Sequence, residues 1–183
     1  FWMVNHDKIL QPAGKDWSTS SSHLTGAALT ALNAACDPLA NAGQPLPTST
    51  SAACADALFH IYYNSKTPPP TPLAAWNNEI TATMNAPYAW VSQLQAGYTP
   101  SEVRGFALAA YAQNNDAALG ATQTVGSTTG VNGYLRIYSE IADLVGALVE
   151  NGFEVFAVTA SPQYVVEPVA ALIGVAPDHV IGI

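Results

Sequence analysis

Thr159, Ala160 and Ser161 are the residues whose types and spacing most plainly could do chemistry. They follow the apolar run Gly152-Phe153-Glu154-Val155-Phe156-Ala157-Val158 and directly precede Pro162. This pattern predicts a short buried strand running into the start of a helix, with hydroxyls at the junction. Junctions of this kind bind phosphate in α/β proteins. The first N–H groups of a helix lack intrahelical partners, its N-terminus carries partial positive charge, and a hydroxyl adds a further donor. The N–H groups of Ala160 and Ser161 would join the same cradle. Thr at a strand end has a plainer use as a helix cap. Ser161 followed by Pro162 at the first helical position would supply that cap by itself, leaving Thr159 free for a ligand.

Other groups offer less. Arg136 is one of two arginines. Its guanidinium could grip a phosphate in a bidentate manner, or pair with Glu140 four residues on. Trp76, Tyr88, Trp90 and Tyr98 could form a cage for a quaternary ammonium, with Trp90 and Tyr88 its first candidates, because ring faces attract cations. Ordinary packing of a helical subdomain accounts for the same aromatics, and no spacing forces these rings to converge. His6, His23, His60 and His179 are scattered and show no metal-ligand spacing. There is no Gly-rich nucleotide loop, Gly-x-Ser-x-Gly elbow or Cys-x-x-Cys.

The elements that must position these groups change character along the chain. Helical spacing predicts a helix over 23–36 and another over 51–64, joined by a Pro- and Thr-rich loop. Cys36 and Cys54 lie in these Ala-rich segments. Two antiparallel helices would bring the sulfurs together as a disulfide, which implies an oxidising compartment; two buried free thiols are the alternative. Pro68-Pro69-Pro70-Thr71-Pro72 reads as a stiff connector. Helices are expected over 73–85, 87–96 and 100–114, the last opened by Thr99-Pro100-Ser101-Glu102 with its capping-box glutamate. Residues 120–133 read as a loop or β-turn region. Beyond Tyr134, Ile137, Ile141, Leu144, Val145 and Leu148 predict an amphipathic helix ending at Asn151-Gly152. A strand (153–158), a helix (162–173) and a strand (179–183) follow, the order of a βαβ unit.

Composition sets the class. At 183 residues the chain suits one domain or a core piece with an inserted subdomain, with 49% apolar and only 10% charged residues. The net charge of −8 makes a nucleic-acid backbone an unlikely partner. No apolar run approaches the length of a membrane span.

The segment Leu148-Val149-Glu150-Asn151-Gly152-Phe153-Glu154-Val155-Phe156-Ala157-Val158-Thr159-Ala160-Ser161-Pro162-Gln163-Tyr164-Val165-Val166-Glu167-Pro168-Val169-Ala170 resembles the haloacid-dehalogenase-like phosphatases, in their phosphoserine- and phosphorylcholine-phosphatase branch. In that family a hydrophobic strand ends in Ser or Thr before a helix carrying an aliphatic pair, Glu and Ala. Gly174 and Asp178-His179-Val180-Ile181-Gly182 also fit. Tyr88-Ala89-Trp90, Gln93-Leu94, Gly97-Tyr98-Thr99-Pro100, Gln123-Thr124-Val125-Gly126 and Tyr134-Leu135-Arg136-Ile137-Tyr138 look like the inserted cap of secreted phosphorylcholine-phosphatase-like enzymes.

The resemblance implies an α/β fold: a partial Rossmann-like core with a large helical cap. Residues 1–22 would be partial core or linker after a missing first strand, 23–133 the cap, and 134–183 a βαβ part of the core. It implies a Mg²⁺-dependent phosphomonoesterase acting through an aspartyl-phosphate on a small phosphorylated substrate such as phosphocholine. Thr159 would be the phosphate-binding hydroxyl. The enzyme would be secreted, periplasmic or held in the cell envelope. The family's Asp-x-Asp nucleophile motif is absent from the 183 residues. The downstream Lys and the acidic pair that holds Mg²⁺ are not matched either. The expectation is therefore a chain that does not catalyse alone, its core completed by residues before Phe1 or by a companion fragment. The alternative is a secreted noncatalytic module binding phosphate or choline.

Overall fold

The computed structural model describes residues 1–77 and 85–182. The protein is mixed α/β and divides into two compact units. One comprises Phe1–Gly97 with Gln123–Val131, the other Tyr98–Thr122 with Asn132–Ile183. This division differs from the three segments read from sequence. The helix that begins at Pro100, expected within 23–133, goes with 132–183.

The first unit is helical. A short α1 (Trp2–Asn5) precedes two 3₁₀ turns (Ala13–Lys15 and Trp17–Thr19), then α2 (Gly26–Cys36), α3 (Ala52–Tyr63) and α4 (Ala86–Gln93). The start of α2 follows from Thr25, whose Oγ1 accepts the Ala28 N–H at 3.2 Å. Ala28, Leu32 and Cys36 recur every fourth residue and are buried. Cys54, Leu58 and Ile61, spaced four and three apart, form the matching buried stripe on α3. The Cys36–Cys54 disulfide joins the two stripes at a Cα–Cα separation of 4.9 Å. The paired helices expected from the Ala-rich segments thus form, cystine included. Trp17, Leu46 and Trp90 complete this core.

The helix expected over 73–85 does not begin at 73. Residues 73–77 are extended and bridge elsewhere: Ala74 pairs with Lys66 and Trp76 with Leu24. Ala75 N–H donates to Ser65 O at 3.0 Å, and Asn77 N–H to His23 O at 2.7 Å. Long-range backbone pairing outcompetes local propensity at this site. Residues 78–84 lie outside the described residues.

The Gly- and Thr-rich 120–133 stretch is a hairpin of β1 (Thr122–Val125) and β2 (Thr128–Asn132). Its tip is latched to α3, because Asp56 accepts from the Ser127 N–H at 2.9 Å and the Ser127 hydroxyl at 2.7 Å. Gly126 at φ 61° lets the turn approach this closely; a Cβ there would lie 2.9 Å from the Asp56 backbone nitrogen.

In the second unit α5 (Pro100–Asp116) opens with the predicted capping box: Thr99 and Glu102 satisfy one another's backbone N–H groups. The Thr99 N–H, donating to Glu102 Oε2 at 2.8 Å, holds that carboxyl below the ordinary glutamate range. The box therefore stabilises fully above the unfolded glutamate pKa, and its contribution is lost as pH falls through the lower folded value. Amide exchange at Glu102 and Val103 is expected to accelerate, relative to mid-helix amides of α5, on acidification across that window. Glu102→Gln should abolish the pH dependence; an unchanged dependence would assign it elsewhere.

Beyond the hairpin, α6 (Ser139–Glu150), β3 (Ala157–Val158), α7 (Gln163–Ala170) and β4 (Val180–Ile181) follow. Strands β3 and β4 are parallel, with Ala157 opposite Val180 and Val158 opposite Ile181. The βαβ order is as expected, but the strand expected over 153–158 pairs only at its last two residues. Phe153 and Phe156 are 62% and 49% exposed, without strand pairing among the described residues. Val145, Ala170, Val175 and Val180 form the small core beneath.

Candidate functional site

The strand–helix junction is built from β3 upward. The Thr159 N–H donates to Ile181 O at 2.9 Å, which carries the pairing one residue past β3. The chain then turns, and Thr159 Oγ1 accepts the Ser161 N–H at 3.0 Å. Pro162, with φ −54° and ψ 130°, is the N-cap of α7 and makes no side-chain cap. The cap expected from Ser161 is thus not made, and Thr159 is not left free. Pro162 falls one position earlier than expected, outside the first turn, so the Thr159 hydroxyl organises the turn itself. A hydroxyl that accepts one bond keeps its proton to donate, and among the described residues the Thr159 proton has no acceptor. Thr159 and Ser161 are half-buried and Ala160 is exposed.

Gly182 closes one side of this turn. A Cβ on it would stand 2.7 Å from both Ser161 O and Gln163 Cα. The backbone after β4 therefore runs directly against the start of α7, and only glycine permits that approach. Among the described residues no group of three His, Cys, Asp or Glu side chains could hold a metal ion. The described residues do not fit Mg²⁺.

Arg136 is committed to the backbone. Its Nη1 donates to Asn114 O at 3.0 Å and Leu135 O at 2.6 Å, and its Nη2 donates to Ala117 O. These carbonyls surround the C-terminal end of α5, where a cation is favourable. Glu140 is not its partner among the described residues; it accepts from the Ser139 hydroxyl at 3.2 Å.

Two of the four candidate cage rings are interior. Trp76 and Trp90 are 6% and 0% exposed and meet edge-to-face at 5.5 Å. Each indole N–H is also taken, by Ile61 O at 2.9 Å and Ser20 Oγ at 2.8 Å respectively. Tyr88 reaches the surface at 37% exposure. Tyr98, in the second unit, stacks edge-on against Phe106, and burial together with the Glu102 charge pushes its hydroxyl up.

Sequence reasoning missed a polar cluster around Asp37. Asp37 Oδ1 accepts from Gln11 Nε2 at 2.6 Å and from the Trp17 indole N–H at 3.1 Å. The Asp37 peptide oxygen accepts from Lys15 Nζ at 2.6 Å. Beside this cluster lies a cleft of about 540 Å³. The four side chains span 26 positions and share no periodicity, so no local pattern could have drawn them together.

The cystine is compatible with an extracellular location, and among the described residues no helix is long and apolar enough to cross a membrane. No family model matches the chain, and neither a curated protein nor a solved structure matches it.

Proposed function

We propose that the β3–α7–β4 unit is part of the phosphate-binding core of a haloacid-dehalogenase-like phosphomonoesterase, with Thr159 as a donor to the phosphoryl oxygens. The supporting observation is the parallel unit itself, in which Thr159 directly follows β3 and begins the turn into α7. Ligands of open α/β sheets collect at the carboxyl ends of parallel strands. A hydroxyl proton and a helix N-terminus at that point suit a developing oxyanion.

The proposal assigns the attacking aspartate and the Mg²⁺ ligands to residues outside these 183, since the chain holds no Asp-x-Asp. The burial of Trp76 and Trp90 removes two of the four rings that favour choline, so the substrate class is small phosphate esters generally. The complete gene product is expected to release phosphate from p-nitrophenyl phosphate and phosphocholine only with Mg²⁺. Thr159→Val should lower kcat/KM by about 10²-fold, the order expected for one lost oxyanion donor. Absence of Mg²⁺-dependent release would overturn the enzyme reading. A noncatalytic phosphate-binding module is the second reading, favoured by the missing Asp-x-Asp. Saturable phosphate binding that needs Thr159 but yields no turnover selects it.

A further inference from the structure

The dipeptide Asn-Gly occurs twice, at Asn132-Gly133 and Asn151-Gly152, both in the second unit. Glycine has no Cβ to shield its amide nitrogen or restrict its backbone, so here an asparagine side chain is most open to attack by the following main-chain nitrogen. The fold treats the two copies differently. Asn132 ends β2, and the Gly133 N–H extends the hairpin ladder by donating to Ala121 O at 3.0 Å. Gly133 is buried, and Asn132 Oδ1 accepts the Tyr134 N–H at 3.3 Å. Freeing the Gly133 nitrogen means parting the hairpin. Asn151 is instead the C-cap of α6, and both it and Gly152 are exposed. Gly152, at φ 81°, and Phe153 close the helix as a Schellman turn, their N–H groups donating to Val149 O and Leu148 O, each at 3.0 Å. The Asn151 N–H is shared between Ala147 O at 3.2 Å and Leu148 O at 3.1 Å, and its Nδ2 donates to Ala147 O at 2.8 Å. All of these bonds lie within residues 147–153. Fraying of the last turn therefore frees the Gly152 nitrogen without parting any paired strand.

We propose that Asn151 is a site of spontaneous covalent modification, through a cyclic imide, to aspartate and isoaspartate, and that the hairpin protects Asn132 from the same reaction. The Gly152 nitrogen gives up its proton and attacks Asn151 Cγ. The N–Cγ bond forms, the Cγ–Nδ2 bond breaks, and ammonia leaves with that proton. Water then opens the imide ring. Cleavage of the new N–Cγ bond leaves aspartate. Cleavage between the nitrogen and the Asn151 main-chain carbonyl leaves isoaspartate, with the chain running through Cγ. Either product places a carboxylate at the C-terminus of α6, the end of a helix that favours cations. Isoaspartate also adds a methylene to the main chain between α6 and Gly152, which puts the Phe153 N–H out of register with Leu148 O.

The folded 183-residue chain is held in mildly alkaline buffer beside a sample unfolded in guanidinium chloride. Both are digested at intervals, and each dipeptide is followed by chromatography and mass spectrometry, its rate referred to that of the same dipeptide in the unfolded sample. On that scale Asn151 is expected to react at least about tenfold faster than Asn132, because a helix end opens at little cost while a paired strand opens only with much of its unit. In heavy-oxygen water each modified Asn151 should gain one labelled oxygen, from the opening of the ring. A referred rate at Asn132 equal to that at Asn151, an Asn151 that stays intact in the folded chain while the unfolded chain reacts there, or a product without labelled oxygen would each overturn the proposal.

Discussion

Replacing both cysteines, Cys36→Ala with Cys54→Ala, is expected to destabilise the first unit by about 3 kcal/mol. Closing a loop over a sequence separation of 18 removes roughly that much chain entropy from the unfolded state. Both sulfurs are 0% exposed, so the alanines also leave unfilled core volume, which adds to the loss. At an m-value of about 1.5–2 kcal/mol/M the urea midpoint should fall by about 1.5–2 M. Tryptophan fluorescence reads this unit alone, because Trp2, Trp17, Trp76 and Trp90 all belong to it. Reduction of the unmodified protein should reproduce most of the shift. A midpoint that moves by less than about 0.5 M would mean that the α2–α3 pair is held by packing, with the cystine contributing little.

Arg104→Ala is the second large effect, and it acts on the other unit. Glu167 on α7 is only 4% exposed, and its Oε2 accepts from Arg104 Nε and Nη2, each at 2.7 Å. The remaining oxygen accepts from Gln163 Nε2 at 2.7 Å, and the guanidinium lies 4.8 Å from the centre of the Tyr164 ring. Removing the arginine leaves a buried carboxylate with one donor where it had three. Breaking a buried pair costs about 3–5 kcal/mol. The arginine side chain is 40% exposed and Gln163 stays, so about 2–3 kcal/mol is expected at this site. Hydrogen exchange along α5 and α7 measures the loss directly. Arg104→Met with Glu167→Leu removes both charges together and should recover to within about 1 kcal/mol of the parent, since an apolar pair replaces a buried ion pair at little cost. If the double variant is as unstable as the single one, packing of the two side chains, not the orphaned charge, is the source of the loss.

What could be read in advance was whatever depends on neighbours in sequence. Thr99 and Glu102 are three residues apart and form their box as written. Leu32 and Cys36 on α2, and Leu58 and Cys54 on α3, show the face that each helix buries, and the cystine follows from bringing those faces together. The β3–α7–β4 order was also legible, because each element announces itself by its own apolar spacing. What failed depends on partners far along the chain. Residues 73–77 spell a helix locally but are captured by bridges to Lys66 and Leu24. Arg136 has an acidic residue four positions on, yet it finds carbonyls about twenty positions back. Within the junction, placing the helix start one residue early hid the turn in which Thr159 Oγ1 accepts the Ser161 N–H. Gln11 gave no signal at all, since an isolated Gln before Pro12 looks like any loop residue.

Asp37 follows Cys36 directly, and this adjacency ties two otherwise separate properties together. The residue that orients Gln11 and Trp17 sits one peptide bond from a sulfur anchored to α3. Asp37 is also the C-cap of α2, so fraying of that helix end would carry the carboxylate with it. Opening the bridge is therefore expected to loosen the Asp37 carboxylate as well as the α2–α3 pair, and with it the hold on the Gln11 amide and the Trp17 indole.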